Sequence, residues 1–176
     1  MISINTIQSK ISIISSKVNV KESLKAESEE QVRWYPIICW DSSDLLLGVN
    51  DEGMWVVEAK SGLHILCESN SFWRLVSLLE QPFSKIRITL DEFFNKLEIP
   101  LDIDNVFPFV EIVRAGFEFG TKHWAEKAFE WYDELLPEKK AYLTESLVKL
   151  KTAQWASQKL RHKAMKELKK MGVLNG

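Results

Sequence analysis

The 176-residue chain has two cysteines, three histidines, seven glycines and five prolines. Each scarcity excludes something. Cys39 and Cys67 cannot build a disulfide framework, and neither has metal-ligand spacing to a second cysteine. His64, His123 and His162 are far apart and none has a ligand-spaced partner, so no zinc site is expected. No phosphate-cradling glycine loop, Gly-x-Ser-x-Gly elbow or dinucleotide fingerprint occurs. No apolar run reaches eighteen residues, so no membrane-spanning segment is expected. Met1–Asn5 lacks the basic region and continuous apolar stretch of a secretory signal. The expectation is a reduced, soluble, cytoplasmic protein without a cofactor.

What is present is ordinary globular composition, 45% apolar and 27% charged, enough to bury one core without a staple. The net charge of −2 hides an asymmetry. Residues 138–176 hold ten Lys or Arg against three Glu, whereas 34–137 hold 18 acids against eight bases. Many of these acids fall at expected turns or helix starts and face solvent: Asp41, Asp44, Asp51, Glu52, Asp91, Glu92, Asp102 and Asp104. An acidic body repels nucleic acid and attracts basic proteins. As a simple solvated surface it aids solubility.

Hydrophobic periodicity predicts an α+β fold as a single compact unit, sheet-rich over 1–100 and helical over 104–176. The first twenty residues read as strand, because Ile2 and Ile4, Ile11 and Ile13, and Val18 and Val20 alternate with polar neighbours. Residues 23–32 read as a short helix or loop. Residues 34–67 read as an antiparallel meander: strands at Trp34–Trp40, Leu45–Val49, Met54–Ala59 and Leu63–Cys67, turning at Asn50–Gly53 and Ser61–Gly62. Ser71 caps a helix to Leu79, Lys85–Ile88 alternates as a strand, and Thr89–Glu92 forms a capping box for a helix ending at Pro100. About four helices follow: 106–119, one capped by Thr121 and broken at Pro137, 138–151, and 157–171. Both cysteines and most of the seven tryptophans are expected in the core. Trp34 and Tyr35 on the first meander strand are expected to be buried rather than exposed as anchors.

Two motifs carry chemistry. Asp44 followed by Glu58-Ala59-Lys60 at the end of an apolar strand resembles the PD-(D/E)xK nuclease core. That resemblance implies two carboxylates holding Mg²⁺ and a lysine that orients the attacking water. Glu-x-Lys is also a common paired surface charge on a hairpin strand. The last helix carries Lys159, Arg161, Lys163, Lys166, Lys169 and Lys170 around a stripe of Leu160, Ala164, Leu168 and Met171. It is expected to dock by the stripe rather than bind nucleic acid or lipid, since no aromatic lies among its cations to stack on bases.

In size and architecture the chain resembles immunity proteins of polymorphic-toxin and contact-dependent growth-inhibition systems. The meander with Leu47-Gly48-Val49-Asn50 and the hairpin at Gly53-Met54-Trp55 is similar to the sheet of one immunity superfamily. That resemblance implies a stoichiometric inhibitor without catalysis. Its partner would be a cognate toxin domain, a basic nuclease, met by carboxylates that imitate phosphates; neither nucleic acid nor membrane would be bound directly. The acids expected to meet such a partner are Asp41, Asp44, Asp51, Glu52, Asp91 and Glu92, with Asp102 and Asp104 as second choices.

Overall fold

The computed structural model describes residues 4–40 and 45–174. The fold is α+β, an antiparallel sheet followed by helices, as the periodicity predicts. The chain divides into two compact units, one formed by residues 1–74 and 84–108 and the other by 75–83 and 109–176. The boundary expected near residue 104 thus falls at 108–109, and the helical stretch 84–108 belongs with the sheet.

The first unit opens with helices α1 (Ile4–Gln8) and α2 (Ile11–Lys17), where strands were expected. The polar alternation there coincides with a helical stripe, and the seven-residue spacing of Ile7 and Ile14 decides it: both are fully buried. Five strands follow in sequence order, β1 (Lys21–Leu24), β2 (Gln31–Trp40), β3 (Leu45–Asn50), β4 (Trp55–Ala59) and β5 (Gly62–Ile65), each antiparallel to the next. Residues 23–32 therefore hold the end of β1, a turn and the start of β2, which is the loop alternative flanked by strand ends and not the helix. The sheet curls until its ends meet. Lys25 bridges to Leu63, and Ala26 N–H donates to the Leu63 carbonyl at 2.8 Å.

Curling buries both faces of the middle strands, which explains the unbroken apolar run Trp55-Val56-Val57. Inside the curl lie Trp34, Val56 and Leu63, packed by Val32, Leu46 and Ile65. The opposite face presents Tyr35, Leu47, Val49, Trp55 and Val57, all buried. There Trp55 Nε1 donates to the Val106 carbonyl at 3.0 Å and its ring meets Phe107 edge-on at 5.0 Å.

A 3-10 helix (Ser69–Glu80) replaces the short α-helix expected after Ser71. The expected strand Lys85–Ile88 lies inside helix α3 (Phe83–Lys96). Ile86, Leu90 and Phe94 form its buried face at four-residue spacing, while Ile88 is exposed. Thr89 is consequently interior to α3 and not a cap: its hydroxyl donates back to the Lys85 carbonyl at 2.8 Å. Lys17 Nζ reaches the Leu97 carbonyl just past α3, at 3.2 Å, where a cation suits the helix terminus. Helix α4 (Ile103–Val106) is capped by the Asp102 carboxylate, which accepts from Asp104 N–H at 3.2 Å.

The second unit is helical. Its α5 (Phe109–Glu118) begins just after Pro108, later than expected, because Phe107 N–H closes α4 onto the Ile103 carbonyl. Then come α6 (Lys122–Glu134), capped by Thr121, the short α7 (Pro137–Lys140), a 3-10 turn (Ala141–Leu143), α8 (Thr144–Thr152) and α9 (Gln158–Lys170), capped by Ser157. Gly116 lets α5 approach its neighbours: a Cβ there would stand 2.6 Å from Leu79 Cδ1 and 2.8 Å from Ala128 Cβ. Phe83, Phe109 and Trp131 cluster with ring centroids 4.6 to 5.9 Å apart. Leu160, Ala164 and Leu168 are buried, so α9 docks by its stripe as expected.

Candidate functional site

Seven of the eight predicted acidic residues fall into three groups, and Glu92 stands apart. Asp41 and Asp44 lie outside the described residues. Asp91, Asp102 and Asp104 serve the fold. Arg87 on α3 grips Asp104 through Nε (3.1 Å) and Nη2 (2.9 Å) and reaches Asp91 through Nη1 at 3.2 Å. These bonds, Asp104's first, hold the guanidinium's pKa above its ordinary value. Asp102 caps α4 and also accepts from Asn105 Nδ2 at 2.6 Å. Glu92 is exposed on α3.

Asp51 and Glu52 form the third group, at the tip of the β3–β4 hairpin, and both are exposed. The turn beneath them is fixed by its own chemistry. Asn50 Oδ1 accepts from Glu52 N–H at 3.1 Å and from Met54 N–H at 2.9 Å, an Asx turn. Gly53 takes φ +77°, and a Cβ on it would stand 2.5 Å from the Gln8 backbone nitrogen. Tyr35 Oη donates to Asp51 at 2.7 Å; burial first, then that bond, raises the phenol's pKa. Arg33 Nε lies 3.9 Å from both Asp51 and Glu22, its cross-strand partner. Two carboxylates thus flank one guanidinium beside the turn, and Glu52 stands next to them in sequence. Glu22 and Arg33 escape sequence reasoning because only the β1–β2 register places them beside the turn.

The Glu-x-Lys motif has a different setting. Glu58 points into the curl, where it meets two residues of β1, a strand that β4 does not neighbour. Lys21 Nζ donates to its Oε2 and Ser23 Oγ to its Oε1. Ser23 in turn accepts from Trp34 Nε1 at 3.0 Å. Burial alone would raise Glu58's pKa; the bonds from Lys21 and Ser23, with the lysine's charge, outweigh it and lower the value. Both carboxylate oxygens are therefore engaged. Lys60 stands exposed on the two-residue turn before β5, which follows directly. Among the described residues, no group of three or more His, Cys, Asp and Glu is placed to hold a metal ion. No sequence spacing signals this cluster, because it joins strands that are not sheet neighbours.

Other expectations change. Cys39 and Cys67 are exposed, not core. A register shift between Pro36 and Ile38 reverses the alternation before Cys39, and Cys67 lies beyond the end of β5. Trp73 and Trp155 are exposed, whereas Trp34, Trp55 and Trp131 are buried. Tyr35 is buried too, as expected. On α9, Lys163 pairs with Asp133 at 2.7 Å and Lys170 with Glu167 at 2.6 Å. Among the described residues, no helix is long and apolar enough to cross a membrane. No protein-family model, no curated protein and no solved structure matches this chain.

Proposed function

We infer that this protein is a cytoplasmic stoichiometric inhibitor of the immunity type, which neutralises a basic toxin domain, a nuclease by its charge. The supporting observation is the hairpin corner. Asp51 and Glu52 project from a turn fixed by Asn50, Gly53 and Tyr35, so presenting them to a cation requires little ordering. The unit that carries them has 15 acids and ten bases, an excess that steers cationic partners and raises the encounter rate. Glu92, exposed on the same unit, adds to that field. Glu58 stabilises the curled sheet through Lys21 and Ser23 in this reading, and no hydrolysis occurs there.

Two experiments test the reading. Bacteria expressing a basic nuclease toxin domain, taken from any toxin gene found adjacent to this one, should survive when the chain is co-expressed, and Asp51→Lys with Glu52→Lys should reduce that protection. Purified protein incubated with Mg²⁺ or Mn²⁺ and DNA or RNA should leave the nucleic acid intact. Cleavage that disappears in Glu58→Ala would replace the inhibitor by the Mg²⁺-dependent nuclease built on Asp44, Glu58 and Lys60.

A further inference from the structure

The first unit also holds a cleft of about 370 Å³, within the size range of small-molecule sites. Its lining includes Lys25, His64, Asn70, Ser71, Trp73 and Arg74. The local charge is opposite to that of the unit around it. Arg74 has no carboxylate partner among the described residues; its guanidinium lies 4.5 Å over the Trp73 ring. Lys25 pairs with Glu30 only through an exposed contact of 3.3 Å, which an incoming anion exchanges at little cost. Burial first, and then the charge of Arg74, lower the pKa of His64 against the opposing field of Glu27. Its Nε2 lies 2.8 Å from Ser61 Oγ at the mouth of the β4–β5 turn. Trp73 is 51% exposed, an unusual position for so large an apolar ring.

We propose that this cleft binds a small organic phosphate with a planar ring, of the nucleoside monophosphate class, with Lys25 and Arg74 on the phosphate and Trp73 under the ring. The chemistry of the lining divides accordingly. A guanidinium and an ammonium supply charge-assisted donors for a dianion. The Arg74–Trp73 stack fixes the guanidinium and leaves exposed indole surface for a second planar group. Asn70 and Ser71 add neutral polar groups to the same wall. The proposal is independent of the acidic hairpin corner, and either can fail alone.

The test uses adenosine 5′-monophosphate as the smallest probe with both chemistries, with inorganic phosphate and adenosine as the two halves. Binding is read by tryptophan fluorescence and by calorimetry on the full chain. Adenosine monophosphate should bind saturably and at least about tenfold more tightly than either half, since stacking and charge-assisted bonds each contribute a factor of that order. Arg74→Gln and Lys25→Gln should each weaken it roughly tenfold with thermal unfolding unchanged. Trp73→Ala should remove the advantage over inorganic phosphate. The proposal is overturned if millimolar adenosine monophosphate shows no saturable binding, if both charge variants bind like the wild type, or if inorganic phosphate binds as tightly as the nucleotide.

Discussion

Gly48 on β3 lies directly beneath Trp34 on β2: a Cβ at Gly48 would stand 2.8 Å from the indole Cε3 and 2.1 Å from the Tyr35 carbonyl oxygen. The indole fills the curl only because this position has no side chain. Gly48→Ala should therefore destabilise the protein by about 3 kcal/mol or more, since the obstructing atom is backbone and cannot rotate away. Chemical denaturation compared with an Ala substitution at Gly120 reports the difference. Gly120 has open space around it, so its cost is confined to the strain of φ +84°.

The Lys21–Glu58–Ser23 cluster makes stability depend on acid. Glu58's folded pKa is lowered, so the folded state holds the ionised form more tightly than the unfolded chain does. Its contribution is complete above the unfolded value of about 4.3 and is lost as pH falls through the folded value. Glu58→Gln should be less stable than wild type at pH 7, and the two should converge as pH drops below 4 (about the unfolded pKa). Denaturation midpoints across pH 3–7 (roughly the window set by that pKa) measure the convergence.

Tyr132 tests the opposite situation. Its hydroxyl is buried on α6 without a hydrogen-bond partner among the described residues, and burial, with the negative charges of Glu167 and Asp133, pushes its pKa up. Tyr132→Phe removes a desolvated polar atom and nothing that it binds. Stability should stay the same or rise, by up to about 1 kcal/mol.

On α9 the stripe and the lysines should separate cleanly. Leu160→Ala should cost about 2–5 kcal/mol, as for a fully buried leucine. Charge reversal at exposed Lys166 should change stability within about 0.5 kcal/mol. Lys163→Glu should cost more than Lys166→Glu, because Lys163 pairs with Asp133 and covers the Phe129 ring at 4.6 Å.

Association with a basic partner should slow as salt rises, since steering is screened beyond about 10 Å at 0.1 M. Asp51→Lys with Glu52→Lys should lower the on-rate; Glu52→Lys alone should do so with thermal unfolding unchanged, whereas Asp51→Lys also removes the acceptor of the buried Tyr35 hydroxyl and should lower stability by about 1 kcal/mol or more. Binding kinetics over a salt series measure both. An on-rate indifferent to salt would assign the acidic corner to solubility alone.

The meander was legible because its signals are local. Asn50–Gly53 and Ser61–Gly62 are turn sequences, and the runs between them match strand length. The helical second unit was legible from its Thr121 cap and from its stop at Gly172, which takes φ +72°, whereas Ser157, read as the first residue of the last helix, is its cap. Short isoleucine-rich segments were ambiguous because Ile11/Ile13 and Ile86/Ile88 alternate at period two while Ile7/Ile14 and Ile86/Leu90/Phe94 satisfy a helical period. Tertiary burial chose the second. Partnerships set by the curl, such as Glu58 with Lys21 and Ser23, join strands that are not sheet neighbours, and no sequence spacing encodes them. The same holds for Arg87, whose position beside both Asp91 and Asp104 diverts two predicted docking acids into the fold.

The bridge between Lys25 and Leu63 has a consequence for behaviour in a crowded solution. An antiparallel meander ordinarily ends in two free edges, each a template for pairing with another chain. Here the two outermost strands are four residues long, and the Leu63 carbonyl is already taken by Ala26. The outer edge of β1 carries Lys21 and Glu22, charges that an added strand would have to desolvate. The protein should therefore resist edge-to-edge polymerisation on heating, and separating β1 from β5 is the opening that would license it.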